Sequence, residues 1–446
     1  MILTGFFCFS LLYFHFYPLI TGIVDETAYL SMAYTFQQGT CFYDQAGIES
    51  TPASIMVNGH LISRYPPGNG ILLVPFTKIN WRWSFCKNYI FMVSGYIIFM
   101  IILQHFHLPL YYAILFLFHP ALVLYSRTIM SDIPATILCL AALLFFIKKR
   151  IFFSGLISGV SIAIRYPAAI IPFTLGLIFL YKREFRDFFR FAIGFFIGII
   201  PLLFYHLYSF KSIAGPINEN MIGISVTNLP FMLGQFFVSL NILYPLLLII
   251  PFLARLKDKY LFIAPGILFL LFFSLQYYID TGQNFYETVI RGQRYMLPII
   301  PFLLIPYIEV LNRIKYFKKP LPIFFVALII LSALIHYKHQ LFLKQQLDYQ
   351  NKLYRYTENA DLVICNKDIY ELINPFLKPV YWVTFESEGK LIPINISNDN
   401  KQFYFACLAR KEEVKNLFLK LLEILPTKKE IYHENTPYYF SIWTFE

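Results

Sequence analysis

The sequence predicts a polytopic α-helical membrane protein that carries a small α/β domain after its last membrane span. Of the 446 residues, 58% are hydrophobic and 14% are charged, which is far from the composition of a soluble globular protein. Apolar stretches long enough to cross about 30 Å of hydrocarbon recur along the chain almost to Lys338. From about Gln345 onward the chain is polar and mixed in charge. These observations exclude a purely soluble protein.

The membrane region is expected to contain about eleven helices, since roughly 20 apolar residues make one span. The first apolar stretch lacks the basic start and the small-residue cleavage site of a signal peptide, so we expect it to remain as a helix. The expected spans are Ile2 to Ile20, Tyr89 to Gln104, Leu110 to Tyr125, Ile133 to Ile147, Ile151 to Ile164, Pro167 to Tyr181, Phe188 to Tyr208, Leu229 to Leu253, Tyr260 to Ile279, Met296 to Leu311 and Leu321 to Tyr337.

Basic residues are concentrated in short segments that all fall on one side of this arrangement. These segments are Lys148 to Arg150, Tyr181 to Arg190, Arg255 to Lys259 and Asn312 to Lys319. Because lysine and arginine are retained in short cytoplasmic loops, this side is predicted to be the cytoplasm. The opposite side receives the long loop after the first span, the C-terminal tail, and the loops around Asp132, Asn218 and Arg291.

This orientation predicts an integral protein of a bacterial inner membrane, in contact with membrane lipids, with its long loop and its tail in the periplasm. The net charge of +11 comes largely from the cytoplasmic segments. We therefore expect no nucleic-acid partner.

The tail has its own secondary-structure pattern. Short strand-like runs, "ADLVIC", "PVYWVTF", "FYFACLA" and "YYFSIWTF", surround the segment "KEEVKNLFLKLLEIL", whose apolar residues have helical spacing. We predict a membrane domain over residues 1–340, with an outside loop over residues 23–87, and a soluble α/β domain over residues 345–446. Cys365 and Cys407 could pair in the tail, but free buried thiols are favoured, because the cysteines are scattered without metal-type spacing.

The outside loop contains the first candidate functional residues. Asp25 and Glu26 begin the segment "DETAYLSMAY", and "SRYPPG" follows later in the loop. A loop of this length is more than a connection needs, and long ordered loops are more often functional. The alternative for the two carboxylates is helix capping, since acidic side chains suit the N-terminus of any helix.

Several sequence features together resemble one class of membrane enzyme. They are the Asp-Glu pair after the first span, "YPPG" in the same loop, "SRTIMSDIP" in the next outside loop, "AIRYP" farther on, and "RGQRYMLPIIPFLLI" before a late span. This pattern is similar to membrane glycosyltransferases of the GT-C fold, in the group that includes protein O-mannosyltransferases and the lipid A aminoarabinose transferase. The resemblance extends over nearly the whole chain up to Lys338, and it implies a GT-C-like fold.

The activity implied by the resemblance is inverting transfer of a sugar from a polyprenyl-phosphate donor to a hydroxyl of a lipid, glycan or protein acceptor on the outer face. Such transfer needs a general base for the acceptor proton, and two adjacent carboxylates favour basicity in one of them. We predict Asp25 as the catalytic base. Glu26 is expected to orient the acceptor, to hold Asp25, or to share a divalent cation with it. No other cofactor is implied.

The departing phosphate needs cations close to it. Arg294 and Arg291 lie where a late span begins, and a guanidinium can contact phosphate oxygens at two points. Arg64 and Tyr65 are further candidates for binding the donor phosphate. The alternative for these arginines is anchoring at the membrane interface.

Three more residues are expected to support the site. Arg165 lies between two apolar runs, where an unpaired charge is costly. Asp132 is either its partner or a second acid at the acceptor, and spacing alone does not choose between the two. Tyr295, next to Arg294, is a third supporting residue.

Two other functions share parts of this pattern. A transporter or flippase of lipid-linked glycans would also place charges at membrane depth, but it does not need paired carboxylates in an outside loop or a separate outside domain. A glycan polymerase or ligase would use the same lipid-linked substrates. The sequence does not specify the sugar or the acceptor.

Overall fold

The computed structural model describes residues 2–48, 51, 53–216, 224–276, 292–314, 316, 319–377, 381–384, 386–387, 390–391, 403–410, 412–424, 428–435 and 438–445. The chain divides into two compact units. The first contains Met1–Tyr17, Pro66–Asn69 and Phe85–His339, and the second contains Pro18–Tyr65, Gly70–Ser84 and Gln340–Glu446. Most of the outside loop therefore belongs to the same unit as the tail. The division into a membrane domain over residues 1–340 and a soluble domain over residues 345–446 stays a prediction.

Helices dominate the described part of the chain. They are α1 (Ile2–His15), α2 (Val24–Gln37), α3 (Gly68–Ile79), α4 (Ser84–His105), α5 (Ala113–Leu117), α6 (Pro120–Ser126), α7 (Asp132–Ile147), α8 (Ile151–Ile164), α9 (Ile170–Tyr181), α10 (Phe185–Phe210), α11 (Leu229–Leu243), α12 (Tyr260–Ser274), α13 (Ile300–Arg313), α14 (Leu321–Tyr356), α15 (Lys367–Tyr370) and α16 (Glu412–Ile424).

Within the described ranges, five helical segments are long and apolar enough to cross a membrane, and five more are shorter but apolar. The long segments are Trp81–His105, Phe185–Phe210, Val226–Leu243, Gly292–Arg313 and Leu321–Tyr356. The shorter ones are Ile2–His15, Asp132–Ile147, Ile151–Ile164, Tyr166–Tyr181 and Tyr260–Ser274. Together they overlap every expected span except Leu110 to Tyr125. The number of helices that cross the bilayer stays a prediction.

Prolines account for two differences from the expected spans. The segment from Leu110 to Tyr125 is not one helix, because the chain breaks between α5 and α6, where His119 precedes Pro120 and has ψ near 121°. Likewise α11 ends at Leu243, and Tyr244 before Pro245 is extended, with ψ near 91°. The residue before a proline disfavours the helical conformation, so neither helix continues as far as its proline.

The last long helix is longer than the span expected there. The expected membrane span ends at Tyr337, and the helix that contains it, α14, continues to Tyr356. No glycine or proline follows Pro322 in this helix, so nothing in the backbone terminates it where the side chains become polar.

The first unit contains a close helix pair formed by α8 and α10. Gly155 and Gly159 on α8 face Gly194 and Gly198 on α10, and a Cβ atom at any of the four would collide with the backbone of the facing helix. Such small residues at four-residue spacing allow two helices to approach closely. Arg165 lies directly after the last residue of α8.

The second unit contains a hairpin and a mixed sheet. The hairpin pairs β1 (Ser54–Val57) with β2 (His60–Ser63) in antiparallel orientation. The described strands of the tail are β3 (Leu362–Cys365), β4 (Tyr381–Thr384), β5 (Glu386–Ser387), β6 (Lys390–Leu391), β7 (Phe403–Ala409), β8 (Lys428–Glu434) and β9 (Tyr439–Phe445). Five of these form a sheet in the order β4-β3-β7-β9-β8.

The register of the sheet explains the state of two cysteines. Cys365 on β3 pairs with Ala406 on β7, so Cys407 points to the opposite face of the sheet. Both cysteines are buried and form no disulfide, and Cys365 belongs to the apolar cluster that contains Leu408 whereas Cys407 belongs to the one that contains Phe405. This arrangement agrees with the favoured prediction that Cys365 and Cys407 do not pair with each other.

Candidate functional site

The paired carboxylates lie in the first turn of α2, with different surroundings. Glu26 is buried, and its Oε2 atom accepts a hydrogen bond of 2.8 Å from the Gly22 amide, four residues earlier. This resembles the return contact of a capping box, in which an acid three residues into the helix satisfies a backbone amide before it. Asp25 is half-buried. The capping contact therefore belongs to Glu26.

Asp25 is held by an aromatic residue of the "YPPG" segment. The Tyr65 hydroxyl donates a hydrogen bond of 2.7 Å to Asp25 Oδ1. The Tyr65 ring stacks on Tyr29, one turn along α2, with ring centroids 5.0 Å apart. The Arg64 guanidinium lies 5.7 Å from the centre of the Tyr65 ring. Two segments of the outside loop, 40 residues apart in sequence, thus meet at the Asp25 carboxylate.

The Tyr65 hydroxyl remains protonated over a wide pH range. Burial, followed by the negative charge of Asp25, raises the pKa of Tyr65 well above its usual value. Both causes favour the neutral phenol, which is the form that donates to Asp25. The hydrogen bond should therefore persist to above about pH 10, where an ordinary tyrosine begins to lose its proton.

Replacing Tyr65 with phenylalanine should reduce kcat by about tenfold, the rate equivalent of one hydrogen bond to a charged group. Steady-state transfer rates between pH 7 and pH 10 are the measurement. Tyr43→Phe is the matched control, because the Tyr43 hydroxyl donates to the Ala28 carbonyl on the same helix and not to a carboxylate. Equal rates for wild type and Tyr65→Phe would show that this bond does not matter for turnover.

A second group of predicted residues surrounds Asp132 in the first unit. Asp132 is the first residue of α7 and is fully buried. Its Oδ1 atom lies 2.8 Å from Arg165 NH1 and 3.5 Å from Arg294 Nε. Of the two alternatives for Asp132, the structure therefore contains the pairing with Arg165.

Tyr295 lies close to both guanidiniums of this group. The Arg294 guanidinium is 5.5 Å and the Arg165 guanidinium 5.8 Å from the centre of its ring. The Phe273 ring packs against Tyr295, with ring centroids 5.3 Å apart. Among the residues that the structure describes, one carboxylate thus faces two arginines, and these three side chains together carry a net positive charge. Arg291, the other predicted phosphate ligand of this segment, lies outside the described residues.

A buried polar cluster that the sequence analysis did not identify supports Asp132. Lys87, only 1% exposed, donates from Nζ to the carbonyls of Ile129 and Met130 at 3.0 and 3.3 Å, and also to Asn69 Oδ1. Asn88 Nδ2 donates to the carbonyls of Tyr125, Thr128 and Met130 at 3.2, 2.7 and 3.1 Å. These bonds fix the backbone that leads into α7. The available clue was a lysine next to an asparagine directly before an apolar run, which interfacial anchoring would also explain.

The predicted residues thus fall into two groups, each within one unit. Asp25, Glu26, Arg64 and Tyr65 belong to the second unit. Asp132, Arg165, Arg294 and Tyr295 belong to the first. That both groups serve one reaction stays a prediction.

The suggestion of a divalent cation at Asp25 and Glu26 also stays a prediction. Across the residues that the structure describes, no three histidine, cysteine or acidic side chains converge in a way that could hold a metal. Glu26 is engaged with the Gly22 amide.

Comparisons with known proteins show a similarity of fold. No protein-family model matches the chain, and no curated sequence matches it. Among solved structures it is similar to ArnT from Cupriavidus metallidurans, crystallised with undecaprenyl phosphate bound. The TM-score is 0.63 at 11% sequence identity, and the match covers 99% of this chain and 97% of that one. The protein therefore has the GT-C-like fold of an integral membrane protein that the sequence resemblance implies.

Proposed function

We propose that the protein is an inverting glycosyltransferase that moves a sugar from a polyprenyl-phosphate donor to a hydroxyl of a lipid, glycan or protein acceptor. The observation that carries the proposal is the cationic group around Asp132, where one fully buried carboxylate lies beside two guanidiniums. It occurs in a chain whose fold matches, over 99% of its length, a protein crystallised with a polyprenyl phosphate.

The arginines have the chemistry that a lipid phosphate requires. A phosphate leaving the anomeric carbon gains negative charge, which fixed guanidiniums stabilise. Arg165 is the nearer partner of Asp132, at 2.8 Å against 3.5 Å for Arg294. We therefore assign Arg294 to the donor phosphate, with Arg165 and Asp132 holding it in place and Tyr295 packing against both guanidiniums. Arg291 and Arg64 remain proposed additional phosphate ligands.

The acceptor side of the reaction is assigned to Asp25. The acceptor oxygen attacks the anomeric carbon while the bond from that carbon to the phosphate oxygen breaks, and the phosphate leaves with the electron pair. Asp25 takes the proton of the acceptor hydroxyl. Tyr65, which donates to Asp25 Oδ1 at 2.7 Å, orients the carboxylate, and Glu26 stabilises the helix turn that carries it. A single displacement of this kind inverts the anomeric configuration.

The proposed active site faces the periplasm. The cytoplasmic assignment of the basic loops, including Lys148 to Arg150, supports this orientation. Cysteines introduced at the exposed positions Met56 and Glu358, in a background without the native cysteines, should react in intact cells with a maleimide that cannot cross the inner membrane. A cysteine at Lys148 should react only after the membrane is opened. The reverse pattern would contradict the orientation.

The function can be tested in the organism that carries the gene. In a deletion strain, mass spectrometry of lipids and glycans should show accumulation of one polyprenyl-phosphate sugar and loss of that sugar from one acceptor. Wild-type protein should restore the acceptor, and the Asp25→Asn variant should not. An unchanged pool of polyprenyl-phosphate sugars would contradict the proposal. A donor that accumulates only on the cytoplasmic leaflet would instead indicate a flippase.

A further inference from the structure

The second unit contains a connecting segment, residues 368–376, that contacts the helix of the proposed base. The hydroxyls of Thr21 and Thr27, on either side of the first turn of α2, both donate to the Glu371 carbonyl, at 3.4 and 3.5 Å. Farther along α2, Tyr34 packs edge-to-face on Phe376 with ring centroids 5.3 Å apart. Contacts at both ends of the helix therefore come from one short piece of the tail.

The connecting segment is itself held by α14. Gln350 Nε2 donates to the Leu372 carbonyl at 2.5 Å, and the Tyr354 hydroxyl donates to the same oxygen at 3.3 Å. The Asn374 amide donates to that hydroxyl at 2.7 Å. These bonds fix the middle of the segment.

Arg410, directly after β7, connects the start of the segment to the sheet. Its NH1 atom lies 2.6 Å from Glu371 Oε2 and 4.0 Å from Asp368 Oδ1. Its NH2 atom donates to Gln346 Oε1 on α14 at 2.9 Å. Glu371 thus uses its side chain for Arg410 and its backbone carbonyl for the two threonines of α2, so that one residue joins the sheet to the helix start.

We propose that Arg410 is a positioning residue, which acts through Glu371 to fix the first turn of α2 and, with it, Asp25. The inference rests on the proposed function for its catalytic consequence, though not for its structural one. The tail then has a defined role: it aligns the base, which belongs to the same unit. A small displacement of a catalytic group far from the mutation can reduce a rate by up to about a hundredfold.

The test compares Arg410→Gln and Glu371→Gln with Lys352→Gln in the full-length protein. Lys352 is a matched control, because it also bridges two acids of the second unit, Glu434 at 2.6 Å and Asp348 at 2.8 Å, with a similar exposed side-chain fraction of 25% against 24%. Hydrogen exchange followed by mass spectrometry reports the opening of α2 without any substrate. Steady-state kinetics with the lipid-linked donor report the catalytic effect.

We expect both Arg410→Gln and Glu371→Gln to speed exchange of the amides over residues 22–30 by about tenfold or more, and to lower kcat by about tenfold to a hundredfold with little change in the KM for the donor. Combining them should add little, since both remove one link. Arg410→Lys should recover part of kcat, because an ammonium can still pair with Glu371. Lys352→Gln should change neither readout.

Unchanged exchange over residues 22–30 in both Arg410→Gln and Glu371→Gln would overturn the proposal, as would an equal effect of Lys352→Gln. Glu371→Gln preserves the size of the side chain and carries the test if Arg410→Gln does not fold. If the wild-type protein transfers no sugar from the lipid-linked donor, the proposed function fails. The exchange measurement then decides the positioning role by itself.

Discussion

Asp25→Asn is expected to lower kcat by about two orders of magnitude or more, which is the usual contribution of a general base. Asparagine has the size of aspartate, and its side-chain oxygen can still accept the bond from Tyr65, but it cannot take a proton. The capping contact in this turn is made by Glu26 with the Gly22 amide, so it remains. The loss should therefore appear in turnover and not in expression or folding. Initial rates and the thermal midpoint of the purified variant measure the two separately.

The outside loop offers a matched control. Asp44 also accepts two hydrogen bonds, from the His60 ring at 2.9 Å and the Leu61 amide at 2.8 Å. Burial would raise the pKa of Asp44, but its hydrogen bonds, with the His60 ring first among them, together with the His60 charge outweigh burial and lower the pKa below its usual value. Asp44→Asn should leave kcat within about twofold of wild type, as expected for a carboxylate outside the reaction. Near-normal turnover in Asp25→Asn would remove Asp25 from the mechanism.

Arg294→Lys is the second change with a large expected effect. Lysine preserves the charge but not the planar two-point contact with a phosphate, and it cannot stack on the Tyr295 ring in the same way. We expect the KM for the lipid-linked donor to rise by about tenfold or more, equivalent to losing one charge-assisted hydrogen bond of roughly 1.5 kcal/mol. Higher donor concentration should partly restore the rate.

Arg313→Lys serves as the control for Arg294→Lys. Arg313 lies at the other end of the same helical segment, 4.0 Å from Glu309 and bonded to the Leu253 carbonyl at 2.9 Å, and it is assigned to the cytoplasmic side. Donor titrations of both variants in the same lipid give the comparison. If Arg294→Lys has wild-type kinetics, Arg294 is an interfacial anchor and the phosphate site lies elsewhere, although the enzyme class would stand.

The membrane helices could be predicted from the sequence, because a long apolar run in a bilayer has few alternatives to the α-helix. The differences between the expected spans and the observed helices have two causes. Prolines end some helices early, and one helix continues beyond its apolar residues. Pro120 and Pro245 each disfavour the helical conformation in the residue before them, so α5 ends at Leu117 and α11 at Leu243, a rule that applies within apolar runs as much as outside them. Conversely, α14 continues beyond the apolar residues because hydropathy marks the membrane boundary and not the end of a helix.

Only part of the candidate site could be predicted from the sequence. Sequence could name Asp25 and Tyr65 as candidates, but not the 2.7 Å bond between them, which depends on how the loop folds. It left the partner of Asp132 open, since three segments far apart in the chain meet there. Lys87 was missed because its burial is a property of tertiary packing, which no local pattern encodes.

The central claim, that the protein transfers sugar from a lipid-linked donor, is tested most directly with purified wild-type protein in one lipid or detergent. A synthetic polyprenyl-phosphate sugar and the corresponding nucleotide-sugar are supplied separately with the acceptor identified in the deletion strain, and product and released polyprenyl phosphate are quantified. The account predicts transfer from the polyprenyl-phosphate sugar alone, with one polyprenyl phosphate released for each sugar transferred and with inverted anomeric configuration. Transfer from the nucleotide-sugar, or none from the lipid-linked donor, would contradict it.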